Sequence, residues 1–245
     1  MIDLRNGDCM ELFSTVPNDS VDCIITSPPY NFDMEYGAYR DDKPWEDYFE
    51  WLNDVWKECY RVLKDDGRLI VNIQPLFSEY VPSHHLLSKG IMDVGFNWKA
   101  EILWEKNNYN CKYCSWGSWK SPSAPYMKYT WEFIEVYYKK DIKHRGRKED
   151  ADITDEEFKK YVLAKWSFAP ERNMKKYGHP AMFPEELPYR CLKLFTFKND
   201  VVLDPFMGVG TTGVVCKKLN RNFIGFELDE TYFETAKNRI DDVAV

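Results

Sequence analysis

No stretch of the chain approaches the roughly 20 uncharged apolar residues that a membrane span requires, and Met1-Ile2-Asp3-Leu4-Arg5 lacks the apolar core of a secretory signal. A cytoplasmic location is the expectation. Cysteine is sparse: seven residues, an odd number, run from Cys9 to Cys216, whereas a disulfide-stapled domain is shorter and denser in them. Reduced thiols follow. Cys111 and Cys114 have C-x-x-C spacing, but no second pair and no nearby histidine completes the four ligands of a structural zinc site, so they read as loop cysteines among aromatics and no metal is expected. Net positive charge is missing too. A balance of −7 excludes a protein that coats nucleic acid unselectively, because that attraction comes from lysine and arginine neutralising phosphates. Internal repeats and low-complexity tracts are also absent, which excludes a solenoid.

What is present is a chain of 245 residues, 44% hydrophobic and 16% aromatic, long enough for one large α/β domain with an insertion. Its charge is unevenly spread. Between Lys106 and Trp131 lie four lysines and no carboxylate, interleaved with Tyr109, Tyr113, Trp116, Trp119, Tyr126 and Tyr129; Lys139, Lys140, Lys143, Arg145, Arg147 and Lys148 then crowd around Asp141. Such a run can be a solvated face, but cations with aromatics also suit phosphates that pair and bases that stack.

Short β-branched runs at Ile2 to Leu4 and Val21 to Thr26 read as strands. Apolar residues at Trp45, Tyr48, Phe49, Leu52, Val55, Trp56, Cys59, Tyr60 and Leu63 have helical spacing. Arg68 to Ile73, Ile102 to Trp104 and Phe133 to Tyr138 are further strand candidates. This alternation is the rhythm of a mostly parallel sheet with helices on both faces. Residues 139–180 break it: after a charged segment, Thr154-Asp155-Glu156-Glu157 is a capping box predicting a helix to about Trp166. Beyond, an amphipathic helix opens near Leu187, a strand covers Asp200 to Asp204, a helix Thr211 to Leu219, a strand Phe223 to Glu227 and a last helix Thr231 to Ile240.

Gly208-Val209-Gly210-Thr211-Thr212-Gly213 has the G-x-G-x-x-G form between a strand and a helix, with Glu227 at the end of the next strand. Glycines let backbone approach an adenosine-containing ligand, and Glu227 can accept from ribose hydroxyls, so a nicotinamide enzyme enters as a competitor. Two features oppose it. Asp204 puts a carboxylate where pyrophosphate needs the positive end of a helix, and only about forty residues remain for a second mononucleotide half. A cofactor with adenosine at one end and a cation at the other fits better, as S-adenosylmethionine does.

Ser27-Pro28-Pro29-Tyr30 follows a buried strand and so belongs at the carboxyl edge of the sheet, where open α/β sheets bind ligands. Two prolines stiffen the turn and bring no N–H, leaving nearby carbonyls to accept from another donor. An exocyclic amine is such a donor. Ser27 can accept or orient, and Tyr30 offers a flat face for a ring. Alone, the motif could equally be a rigid loop.

Together, Ser27-Pro28-Pro29-Tyr30 and Asp204-Pro205-Phe206-Met207-Gly208-Val209-Gly210 resemble the (D/N/S)-P-P-(Y/F) and D-x-F-x-G-x-G motifs of the amino-methylating DNA methyltransferases, in the permuted order of the beta class. The likeness extends over Asn6-Gly7-Asp8, Arg61-Val62-Leu63 through Asn72, and Gly178-His179-Pro180-Ala181. It implies a Rossmann-like class I methyltransferase fold, permuted, with residues 1–138 catalytic, 139–180 an inserted target-recognition segment and 181–245 cofactor-binding. It implies that Asp204, Phe206, Gly208, Gly210 and Thr211 lie along S-adenosylmethionine, with His179, Pro180 and Phe183 beside its methionine, Glu227 at the ribose and Asp8 at the adenine. Ser27, Pro28, Pro29 and Tyr30 would hold an extruded base in double-stranded DNA for direct transfer to its amine. Lys112, Trp116, Trp119, Lys120, Lys143, Arg145, Arg147 and Lys148 would contact DNA. Serine at the head of the motif resembles the cytosine-N4 subgroup, adenine-N6 remaining open. A ring-carbon enzyme would need a Pro-Cys nucleophile, and no such dipeptide occurs. A non-catalytic DNA-binding protein on the same fold stays as an alternative, as do a cognate restriction endonuclease as partner and a monomeric or homodimeric state.

Overall fold

In a computed structural model, the structure describes residues 1–31, 35–36, 39–75, 81–107, 118, 120–125, 127, 129–172 and 174–244. In chain order the elements are β1 (Ile2–Asn6), α1 (Cys9–Phe13), β2 (Val21–Thr26), a hairpin of β3 (Glu35–Tyr36) and β4 (Tyr39–Arg40), α2 (Trp45–Val62), β5 (Leu63–Ile73), α3 (Ser83–Val94), β6 (Asn97–Glu105) and β7 (Trp131–Tyr138). There follow α4 (Asp155–Tyr161), β8 (Lys165–Ser167), α5 (Met174–Tyr177), α6 (Glu186–Phe195), β9 (Val201–Asp204), α7 (Thr211–Lys218), β10 (Asn222–Glu227) and α8 (Glu230–Asp241).

Eight strands form one sheet in the order β1-β10-β9-β2-β5-β7-β6-β8. Every pairing is parallel except those of β7 with β5 and β6. Because strand side chains alternate between faces, Leu69, Val71 and Ile73 enter one core layer with Phe13, Leu52 and Trp56, while Ile70 enters the other with Leu187, Val215 and Ile240. Both faces are thus covered, which is why the central strands read as continuous apolar runs. Crossovers from β2 run one way, to β5, and from β9 the other way, to β10. The β2/β9 boundary is therefore the topological switch point, outside whose carboxyl ends a ligand crevice opens.

Residues 139–180 join the main sheet through β8, which pairs with β6. The helix from Thr154 has its capping box but ends at Tyr161, five residues early. Trp166 instead lies in β8 beside Trp104, fully enclosed, with its indole N–H donating to the Tyr161 carbonyl at 3.0 Å. Burial of that large ring against the sheet, worth a few kcal/mol, overrides a further helical turn. Before α4, the chain is strapped along the amino edge of the sheet. Arg68 donates to the Ile142 carbonyl at 2.6 Å, the Arg145 N–H to Asp66 at 2.9 Å, and buried Arg221 grips Asp152 through two nitrogens at 2.6 and 2.8 Å. His144 lies 2.7 Å from Asp200. Burial pushes its pKa down, but the hydrogen bond and charge of Asp200, with Asp66 and Asp22, outweigh that and leave it raised. Asp22, His144 and Asp200 lie close enough to share an ion. Both Asp22 oxygens are engaged, by Lys64 and the Val201 N–H, and Asp200 Oδ2 takes His144 Nε2 and the Phe197 N–H, while His144 Nδ1 is buried without a hydrogen-bond partner among the described residues.

Among the described residues no helix is long and apolar enough to cross a membrane. Cys9, Cys23, Cys59, Cys191 and Cys216 are buried free thiols. Cys111 and Cys114 lie outside the described residues.

Candidate active site

A cavity of about 1070 Å³ occupies the crevice, lined by the carboxyl ends of the parallel strands, the start of β7 and residues 170–183. It is at the top of the roughly 300–1,000 Å³ range for a single small-molecule site. One end carries Asp8, Gly208, Glu227 and Tyr232; the other carries Trp104, Lys106, Tyr129 and Glu132, with Ser27 to Tyr30 also on the wall.

The two motifs meet at Asp204. Thr26, at the end of β2, donates its hydroxyl to Asp204 Oδ1 at 2.8 Å across 178 positions of sequence. Thr212 donates to Oδ2 at 2.9 Å and the Phe206 N–H to Oδ1 at 3.1 Å. Asp204 is 1% exposed and does not line the cavity. This corrects the expectation that its carboxylate meets a ligand ammonium: both oxygens are spent tying the double-proline loop to the glycine loop. Burial lifts its pKa to about 6 against the pull of those hydrogen bonds.

Phe206, Gly208, Val209 and Thr211 do line the cavity. Gly208 takes φ +53°, and a Cβ there would stand 2.9 Å from His179 Nε2, so backbone and neighbour both require glycine. Gly210, at φ +78°, starts α7. Arg239 of α8 braces this loop, donating to the Val209 carbonyl at 2.5 Å while its guanidinium packs over Tyr177. His179 lies on the wall with Pro180 and Phe183. Its Nδ1 accepts from the Ala181 N–H at 3.2 Å, and burial pushes its pKa down to about 4, so it is neutral with Nε2 facing the glycine loop. Glu227, at the end of β10, accepts from the Asp229 N–H at 2.8 Å, and burial raises its pKa to about 7. Asp8 both caps α1, accepting from Met10 at 2.8 Å, and lines the cavity.

On the double-proline side, Asn31 clamps the turn. Its N–H donates to Asp41 at 2.8 Å, and its side chain exchanges hydrogen bonds with the Lys43 backbone at 2.8 and 2.9 Å. Tyr48 of α2 donates to the Pro29 carbonyl at 2.6 Å. That hydrogen bond ties the double-proline turn to α2. The Ser27 hydroxyl donates to Tyr30 OH at 2.8 Å.

The DNA-contact expectations divide. Lys112, Trp116 and Trp119 lie outside the described residues. Lys120 is exposed between β6 and β7, whose near ends line the cavity. Lys143, Arg145, Arg147 and Lys148 belong to the amino-edge strap, at the other end of the sheet from the cavity. The stretch from Arg68 to Ile73 alone, at about 3.3 Å per residue, separates that edge from the cavity. Arg145 and Arg147 pair with Asp141 and Asp150 at 2.6 and 2.7 Å. Their charge pattern was local, whereas which edge of the sheet they occupy is set by the antiparallel direction of β7. Sequence reasoning missed Glu132, Lys106, Trp51 and Arg172 as cavity residues. Only an acid at the head of a strand, just beyond the lysine-rich stretch, hinted at Glu132.

A family model described as DNA methylase, of the N6 and N4 type, matches residues 21–238. Type II methyltransferase M.MjaVI of Methanocaldococcus jannaschii is 36% identical over 179 residues, 69% of this chain and 87% of that protein. Type II methyltransferase M.BglII of Bacillus subtilis is 29% identical over 245 residues, 95% of this chain and 67% of that protein. Among solved structures, TTHA0409 of Thermus thermophilus complexed with S-adenosyl-L-methionine superposes with a TM-score of 0.77 at 27% identity, covering 98% of this chain and 95% of that one. The cytosine-N4-specific PvuII DNA methyltransferase superposes with a TM-score of 0.71 at 22% identity, covering 99% and 88%, a likeness of fold.

Proposed function

The chain belongs to the N6/N4 family of DNA methylases, and from that premise we propose that it methylates the exocyclic N4 of cytosine in double-stranded DNA, using S-adenosylmethionine. The observation that carries the reading is the Thr26–Asp204 hydrogen bond at 2.8 Å, which joins the amine-holding turn to the glycine loop over one cavity. The residues present fit the cofactor. Gly208 leaves backbone accessible in the cavity wall, Glu227 could take ribose hydroxyls, Asp8 would meet the adenine, and His179, neutral, with Pro180 and Phe183 would hold the methionine moiety. When bound, the cofactor supplies a methyl group on a sulfonium leaving group.

The chain's own task is to make a poor nucleophile attack. An aromatic amine delocalises its lone pair into the ring, and acceptors on its two N–H groups draw that pair back toward nitrogen. In this reading Ser27 Oγ and the Pro28 carbonyl accept those N–H groups. Tyr30 provides the face on which an extruded base stacks, and extrusion from the duplex costs a few kcal/mol. Positioning and fixed dipoles then carry the rate, with no covalent enzyme intermediate. Serine in place of an acid at position 27 favours cytosine N4 over adenine N6. Digesting methylated plasmid DNA to nucleosides and identifying the modified base by mass and retention tests this. N6-methyladenine as the product overturns the choice of base, and no modified nucleoside overturns the activity.

The duplex would lie over the carboxyl edge, where Lys120 and Arg172 are exposed. Converting Arg145 and Arg147 to alanine should then leave the slope of log K against log salt unchanged. Arg172→Ala should flatten it by about 0.9, as expected for one phosphate contact. A flattened slope in the Arg145/Arg147 variant, measured by fluorescence anisotropy from about 50 to 200 mM salt, would put the DNA on the strap.

A further inference from the structure

Behind Tyr30 a chain of polar groups runs through Asn72 to Glu132 and Lys106, which no motif contains. Tyr30 OH accepts from Asn72 Nδ2 at 3.2 Å, and the same nitrogen donates to Glu132 Oε2 at 2.5 Å. Glu132 Oε1 is ion-paired with Lys106, whose ammonium also lies 5.5 Å over the Trp104 ring. Asn72 and Glu132 are 2% and 6% exposed, and all these residues line the base end of the cavity. They come from the ends of three adjacent strands, β5, β7 and β6.

An amide can face either way, and its neighbours decide. A carboxylate only accepts, so Glu132 requires the nitrogen of Asn72 on its side. Both N–H groups are then committed, one to Glu132 and one to the tyrosine oxygen. The remaining atom, Asn72 Oδ1, is buried with no hydrogen-bond partner among the described residues. A buried acceptor left unpaired is unfavourable, so it is the Glu132 carboxylate that holds the amide this way round. That orientation turns the other N–H of Asn72 to Tyr30.

We propose that Glu132, braced by Lys106, is a positioning residue for methyl transfer: it fixes the Asn72 amide so that Asn72 anchors Tyr30, and through Tyr30 the Ser27 hydroxyl, against the target base. The claim deepens the methyl-transfer reading and rests on it. Glu132 touches neither reacting atom. Glu132→Gln keeps size and shape but lets the residue-72 amide turn over, presenting oxygen to Tyr30.

Single-turnover transfer of a labelled methyl group from S-adenosylmethionine to unmethylated bacterial genomic DNA reads the effect, with cofactor affinity measured separately by calorimetry. For Glu132→Gln we expect a rate lower by about 30- to 100-fold, the scale of a misplaced reactant, with cofactor Kd and DNA KM within about threefold of the wild type. Glu132→Asp, which restores the charge on a shorter stem, should recover at least a tenth of the wild-type rate. A Glu132→Gln rate equal to the wild type overturns the proposal. So does parallel loss of cofactor binding and rate, since a merely structural role predicts that. Absence of transfer by the wild type itself overturns the underlying reading and this inference with it.

Discussion

Replacing Asp204 by alanine is expected to abolish methyl transfer and to lower folding stability by about 3 kcal/mol, the scale of breaking a buried hydrogen-bonded carboxylate network. Three donors lose their acceptor at once: the Thr26 and Thr212 hydroxyls and the Phe206 N–H. The first belongs to the strand that ends in the double-proline turn, the others to the glycine loop. Cofactor affinity should therefore fall although Asp204 does not face the cavity, because the loop carrying Gly208 is no longer pinned. Equilibrium dialysis with labelled S-adenosylmethionine, a methyl-transfer assay and urea unfolding measure the three effects. Full activity with native stability would show that the two loops hold their places without this carboxylate.

Asp204→Asn separates the hydrogen bonds from the charge. Its amide oxygen can accept from Thr26 and Phe206, and its nitrogen can donate to Thr212. The wild-type acid has a folded pKa of about 6, above its ordinary 3.8 because of burial. A group with a raised folded pKa holds its proton more tightly when folded, so its stabilising contribution is complete below about pH 4 and is lost as pH rises through 6. Over roughly two pH units that loss is about 3 kcal/mol. Glu227, raised from 4.5 to about 7 by burial, adds a loss of the same sign slightly higher. Glu135, likewise raised to about 7 by burial, adds a third such loss, so between pH 4 and 8 the urea midpoint of Asp204→Asn should fall by about two-thirds as much as that of the wild type.

Legibility followed the range of the interactions. The β-branched run from Val21 to Thr26, the α2 spacing and the glycine turn before α7 are local patterns, and the structure has each where the sequence predicts it. That Asp204 and the double-proline turn share one site was readable only as a juxtaposition of motifs. The role of Asp204 was not, since a carboxylate beside a glycine loop looks alike whether it faces a ligand or two threonines. The α4 helix was overrun because Trp166 continues an amphipathic pattern, and its edge-strand pairing with Trp104 involves a residue 62 positions away. Short α1, which Asp8 caps, and α3, which starts after Pro82 without a side-chain cap, gave weaker signals. Asn72 and Glu132 meet only because β7 runs antiparallel beside β5, a register that no local spacing encodes.

Tyr30 tests whether the cavity's base end works as described. Its ring packs partly against the core layer beneath α2, so it is held at its base and presents the remainder to the cavity. Tyr30→Ala removes both ring and hydroxyl. Stacking of a base on an aromatic ring is worth about 1–3 kcal/mol, and loss of the anchored geometry adds to this, so transfer should fall by about 100- to 1,000-fold. The Asp204 anchor and the glycine loop stay intact, and cofactor affinity should change by less than about threefold on the scale of removing an exposed contact. Tyr30→Phe keeps the ring and breaks the links to Ser27 and Asn72. Its rate should lie between, about 30- to 100-fold below wild type, the equivalent of two lost neutral hydrogen bonds. If Tyr30→Phe is as slow as Tyr30→Ala, the hydroxyl network and not the stacking face governs the rate. If Tyr30→Ala transfers methyl groups at the wild-type rate, the base is held elsewhere and the double-proline turn is only a rigid corner.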